Sequence, residues 1–376
     1  MDRSSKKYKS LLNVSIAFLF LTGCLHKAKQ TNNGKNIVAK ENKKKNKKTK
    51  EQHVITIWIH GTRSHNIVNN FIKNVLFTDI FYRKIGLHPA TSYEKKYNLR
   101  KIAENICMQN TERFVLENFY FFGWSGNLSH KKRKEAAAKL HKTTLTLINK
   151  YEKKHGITPK IRLITHSHGG NLACCLQKRN KKSKRKLRIY ELILLACPVQ
   201  KKTSHLLKDD MFETIYSLYS GLDIIQVIDP QGFELLQKYK TKQKRPFFSE
   251  RRFAPQPNLT QVKLKINGRG ILHVEFLLQK FTTLLPHILT EIDNWKKQDK
   301  ANPYAYKKKR VLKVRIKNGA FTFRRKVIKR RYNHKKKQTT ISEAVQEVPS
   351  QDVKSQHNQS PQTPTTHEAY RNKASS

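Results

Sequence analysis

The stretch Ile161-Arg162-Leu163-Ile164-Thr165-His166-Ser167-His168-Gly169-Gly170 decides the fold. Its first five residues form a β-branched, mostly apolar run, which predicts a strand. The amphipathic segment opening at about Asn171 predicts a helix. A strand that turns directly into a helix needs small residues around the turn, because the residue at its apex takes a strained backbone conformation. Ser167 stands at that apex.

Working outward, the same rhythm repeats. Val54–Ile59 is a β-branched strand ending in His60-Gly61-Thr62, and Phe119–Phe122 is another, ending in Gly123-Trp124-Ser125-Gly126. Between that strand and Ile161, Ala137, Leu140, Thr144, Ile148 and Tyr151 recur at helical spacing over 130–154. Tyr190–Ala196, Glu213–Leu218 and Gln261–Ile266 predict three further strands, and a helix is expected over 274–292. Alternating strands and helices imply βαβ crossovers and a mostly parallel sheet of about six strands, covered on both faces. In such sheets chemistry gathers at the carboxyl ends of the strands. The distinctive polar motifs all fall at those ends.

Thr165-His166-Ser167-His168-Gly169 resembles the nucleophile elbow of α/β-hydrolase lipases and esterases, Gly-x-Ser-x-Gly, with Thr165 in place of the first glycine. The resemblance covers about residues 53–295. It implies the α/β-hydrolase fold, a three-layer sandwich, here in a minimal version, because the two strands that usually precede the His-Gly strand are missing. It also implies a Ser–acid–His triad in that chain order. Ser167 is then the nucleophile. Asp223, just past the fifth strand, is the acid, with Asp229 as its rival. His273, on the loop after the sixth strand, is the general base, with His287 and His205 as alternatives. The oxyanion donors would be the backbone N–H groups of His168 and Thr62, the latter following a His60-Gly61 pair like the family's His-Gly motif. His60 and His168 could also be read as metal ligands, but no carboxylate stands in register with them, so no metal and no cofactor is expected. The implied substrate is an acyl ester or lipid; neither the acyl group nor the leaving group is readable.

The chain is 376 residues long, with 78 Lys+Arg against 26 Asp+Glu, a formal net charge of +52. Residues 51–300 hold 45 of the basic and 20 of the acidic residues, so about half of the excess lies in the flanks. An excess this large points to an anionic neighbour or to compositional drift towards Lys and Asn. Residues 1–23 read as a signal peptide: a basic start, then an apolar core, Leu11–Leu21, too short to span a bilayer. Leu21-Thr22-Gly23-Cys24 resembles a bacterial lipobox, which implies a lipidated Cys24, a membrane anchor and a place in the bacterial cell envelope. Residues 24–52 are a Lys/Asn-rich tether, roughly 30 Å in r.m.s. span, whose charges favour anionic headgroups.

The expected hydrolase domain is 53–299. Its long connection 64–118 begins with an apolar stretch that is either a helix on the sheet or a cap, and 231–260 is a basic insertion. Cys107, Cys174, Cys175 and Cys197 read as buried apolar groups, with a bridge from Cys174 or Cys175 to Cys197 as the alternative. Residues 300–337 form a basic extension in which Asn318-Gly319 predicts a β-hairpin. Its partner could be an anionic surface, with nucleic acid the less favoured reading because no known nucleic-acid module is present. Residues 338–376 are Gln/Ser/Thr/Pro-rich and expected to be disordered.

Overall fold

In a computed structural model of the chain, residues 53–62, 85–227 and 250–328 are described. The expected signal peptide, Cys24, the tether, the apolar stretch after Ser64, Asp229 and the 338–376 tail lie outside them, as does most of the 231–260 insertion.

The β-branched runs form strands β1 (Val54–Ile59), β3 (Phe119–Gly123), β4 (Lys160–His166), β5 (Ile189–Leu195), β6 (Phe212–Ser220) and β7 (Leu259–Ile266). These six are mutually parallel, in the order β3-β1-β4-β5-β6-β7. The sheet is larger than expected, with nine strands among the described residues and mixed direction. On one side β2 (Gly86–Pro89) adds antiparallel to β3. On the other, β8 (Lys309–Lys317) runs parallel to β7, and β9 (Ala320–Ile328) returns antiparallel to β8. The six-strand expectation fails at both edges because β2 and β8 are brought into the sheet by partners distant in sequence, β3 and β7, and β9 follows β8 through its hairpin. The hairpin itself is where Asn318-Gly319 put it. Asn318 and Gly319 have φ of 50° and 77°, the pair of positive values that a two-residue turn of matching twist requires. A boundary at 299/300 would cut the sheet, since β8 continues it.

Helices α1 (Asn98–Gln109) and α4 (Gln279–Gln298) cover one face; α2 (His130–His155) and α3 (His168–Lys181) cover the other. Helix α2 places Ala137, Leu140, Thr144, Ile148 and Tyr151 on its buried stripe and ends at Gly156, whose φ of 71° suits a glycine C-cap. Helix α4 buries Phe281, Leu285, Ile288, Leu289 and Ile292 against Leu218, Val262, Leu264 and Leu312 of the sheet. It begins at Gln279, later than expected, because His273–Leu277 forms a 3-10 turn first. The four cysteines of the described region are buried and unbridged, so the alternative bridge to Cys197 does not form.

Candidate active site

Strand β4 ends at His166 and α3 begins at His168, leaving Ser167 alone at the turn with φ 53° and ψ −132°. A non-glycine residue held there stores on the order of 1–3 kcal/mol of strain. The surroundings enforce it. Ser167 N–H donates to Leu195 O at 2.9 Å, and Gly170 N–H returns to Ser167 O at 3.0 Å. The two glycines are required by close approach. A Cβ on Gly169 would lie 2.6 Å from His60 O, and one on Gly170 would lie 2.4 Å from Cys197 Sγ. The start of α3 therefore presses directly onto the ends of β1 and β5. The His168 N–H, at its first position, has no intrahelical acceptor and lies at the positive end of the helix.

The loop after β1 meets the serine from the opposite side. A Cβ on Gly61 would stand 2.8 Å from Ser167 Cβ, so only glycine lets this backbone lie against the elbow. His60 is buried, stacked on Trp124 with ring centroids 5.7 Å apart. Its Nε2 accepts the Trp124 N–H at 3.2 Å, which places the proton on Nδ1, 2.8 Å from Gly61 O. Trp124 Nε1–H in turn donates to His60 O at 2.9 Å. His60 Nδ1 thus holds the Gly61–Thr62 peptide while Nε2 ties the ring to Trp124. Among the described residues no group of three or more His, Cys, Asp or Glu is placed to hold a metal ion.

Asp223 and His273 come together. His273 Nδ1 donates to Asp223 Oδ2 at 2.8 Å, and Gln226 N–H donates to Asp223 Oδ1 at 2.9 Å. The carboxylate is 1% exposed, so its remaining interactions are with the protein rather than with bulk solvent. Ser220 links the two loops, its Oγ accepting Leu222 N–H at 3.1 Å and Ile271 N–H at 2.8 Å. The base loop is further pinned by Glu275, which accepts Leu272 N–H at 2.6 Å and both Arg269 Nη atoms, and whose carboxyl is held below its ordinary range by Arg269 and Leu272 N–H despite burial.

The elbow touches the base loop through His166. Its Nε2 donates to His273 O at 3.0 Å, and the two rings lie 4.6 Å apart. Among the described residues no hydrogen bond joins Ser167 Oγ to His273. Burial first, then repulsion from His273, holds His166 well below its ordinary value, and burial with the nearby Arg133 lowers His168 to about 3. Both flanking histidines are therefore neutral.

The alternatives named for the base lie elsewhere. His205 is exposed on the turn after β5, and His287 sits on α4, bonded to Gln109 and packed on Phe321. His166, Ser220, Gln226 and Trp124 were not read from the sequence as site residues. Trp124 and His166 carry a signal, since each stands at a predicted strand end; Ser220 and Gln226 carry none.

No family model matches the chain, and no curated protein matches it. Solved structures do resemble it. A protein of unknown function from Agrobacterium tumefaciens, described as a putative α/β hydrolase, is 12% identical, with 67% of this chain and 88% of that one covered at a TM-score of 0.33. A hyperthermophilic esterase from Pyrobaculum calidifontis is 11% identical, covering 65% and 78%, with a TM-score of 0.33. An α/β serine hydrolase homologue from Coxiella burnetii is 14% identical, covering 62% and 85%, with a TM-score of 0.29. The architecture stated here stands on this chain's own strand order and elbow, which are α/β-hydrolase-like.

Proposed function

We propose that this chain is a serine hydrolase that cleaves acyl esters through an acyl-enzyme intermediate. The observation that carries the reading is the hydrogen-bonded Asp223–His273 pair at the same end of the sheet as the strained Ser167, with each residue supplied by a different strand end in the order Ser, Asp, His. His273 takes the Ser167 proton as Oγ attacks the acyl carbonyl, and later returns it to the leaving group. Asp223 keeps the proton of the neutral imidazole on Nδ1, so that Nε2 is free to act as base, and stabilises the imidazolium that forms. The His168 N–H at the start of α3 and the Thr62 N–H receive the oxyanion, each worth about 3 kcal/mol in such sites. His60 holds the Gly61 carbonyl, and because the peptide is planar and trans this also sets the direction of the Thr62 N–H. A lipid on Cys24 and the basic tether would keep the enzyme at a membrane of the bacterial cell envelope.

A fluorophosphonate probe tests the reading. Wild type is expected to label, with labelling and p-nitrophenyl ester hydrolysis abolished in Ser167→Ala, a loss on the order of 10⁶ in kcat. A folded wild type that does not label would overturn it and leave a non-catalytic lipoprotein of the same fold.

A further inference from the structure

The pairing register of the last three strands brings like charges side by side. Lys313 of β8 is directly opposite Arg324 of β9 and directly beside Lys265 of β7. Partners in register point to the same face, about 5 Å apart, so three cations form a row across the sheet, an arrangement that is destabilising in isolation. The row has company. Lys263 and Lys326 flank Val311 one pleat away, and Arg315 and Lys317 continue the same face toward the hairpin turn. Lys313, Arg315, Lys317, Arg324 and Lys326 are exposed, and Lys263 and Lys265 are partly so. Among the described residues no carboxylate pairs with any of these seven. Nearby carboxylates are engaged elsewhere, with Asp299 on Lys308 and Arg310, and Glu291 on Arg325 of the opposite face.

That opposite face is the apolar one. Leu312 and Val314 are buried in the core beneath α4, and Ile316, Phe321 and Phe323 pack against it. Position along the sheet matters too. Strand β8 runs three residues beyond its last pair with β7, Ile266↔Val314. The hairpin therefore projects about 10 Å past the strand ends where the triad candidates stand. Lys263 links the two regions: a Cβ on Gly221 would lie 2.7 Å from its Nζ, two residues before Asp223. The loops at that end expose apolar side chains. Leu222, Ile224 and Ile225 around Asp223 are 42%, 38% and 41% exposed, and Leu278 after His273 is 44% exposed.

We propose that the face of β7–β9 bearing Lys265, Lys313 and Arg324 is a docking surface for anionic phospholipid headgroups, turning the Asp223–His273 end of the sheet toward a bilayer. A bilayer surface matches both observed features, taking cations at its headgroups and apolar side chains at the acyl boundary. Single-stranded nucleic acid would call for aromatic side chains among the cations, yet Phe321 and Phe323 lie on the other face. The surface stands independently of the hydrolase reading.

The test uses the full chain carrying Cys24→Ser, so that no acyl anchor contributes. It compares co-sedimentation with vesicles of pure phosphatidylcholine and with vesicles containing an equal share of phosphatidylglycerol. Binding is expected only to the anionic vesicles. Lys265→Gln/Lys313→Gln/Arg324→Gln together should weaken it on the order of a hundredfold, at about fivefold per basic residue. A control of equal charge change, Lys139→Gln/Lys142→Gln/Lys150→Gln on the exposed side of α2, should weaken it by less than about threefold. Equal losses in the two triples, absence of lipid preference, or tighter and equally triple-dependent binding to a single-stranded oligonucleotide would each overturn the proposal. Circular dichroism and thermal melts of the triple variants report folding without calling on Ser167, and so keep the outcome separate from that of the hydrolase test.

Discussion

Toward the amino ends of β4 and β5, Glu191 accepts Arg162 Nε on one oxygen and Arg113 Nη2 at 2.7 Å on the other, while Asp293 of α4 takes Arg113 Nη1 at 2.7 Å and the Tyr216 hydroxyl at 2.5 Å. At the carboxyl ends of the same strands, Ser167 is held at positive φ between two neutral histidines, and Ala196 after β5 is also at positive φ, 51°. Both regions bury polar groups within one sheet. In the first, each carboxylate is matched by cations or a hydroxyl, and the network ties α4 and the segment before β3 to the strands. In the second, the backbone is strained at Ser167, the proposed nucleophile. Charge compensation marks one end, and strain beside a bonded Asp–His pair marks the end proposed as the active site.

The largest test of this contrast is Asp223→Asn. It should preserve the fold while lowering kcat by about 10⁴, because the amide stabilises the wrong imidazole tautomer. Steady-state kinetics with a p-nitrophenyl ester check it, and a loss of stability in place of a loss of rate would place Asp223 with the structural charges. Glu191→Gln should behave in the opposite way. It leaves Arg162 short of its partner in a buried site, at a cost of about 3–5 kcal/mol, read from the denaturant midpoint, with kcat of the folded fraction unchanged.

The smallest effect is in pH. His168 and His166 are neutral when folded but take a proton near 6.5 when unfolded, so the unfolded state binds more protons below that value. Stability should hold above about pH 6.5 and fall as pH drops from there toward 3. His130, lowered to about 4 chiefly by burial and its basic neighbours, adds to the same slope. Thermal melts between pH 8 and 5 check the sign, and His168→Gln should flatten the decline.

The six central strands, the elbow and the Asp223–His273 pairing were legible because each is written locally: a β-branched run, a small-residue turn, a polar residue just past a strand end. The sheet edges were not. Gly86-Leu87-His88-Pro89 has the composition of a turn and becomes a strand only through β3. Lys309–Lys317 reads as one arm of a basic hairpin, but nothing local in it says that it joins the sheet beside β7 and packs its alternate residues under α4. Glu191 and Arg162 sit inside apolar strands, where sequence alone gives no sign that they meet Arg113. His166 was read merely as part of the elbow, since its contact with the His273 carbonyl spans more than a hundred residues.

A sheet that does not close has two edges, and each offers unpaired backbone groups to any strand that approaches. Among the described residues one edge is β2, four residues long and ending in Pro89, and the other is β9, with Arg324, Arg325 and Lys326 in succession. Brevity and a proline guard the first, and mutual repulsion guards the second. Copies of the protein gathered at high density on a surface would therefore meet at edges that resist zipping into a continuous intermolecular sheet, so crowding would not lead to aggregation through strand addition.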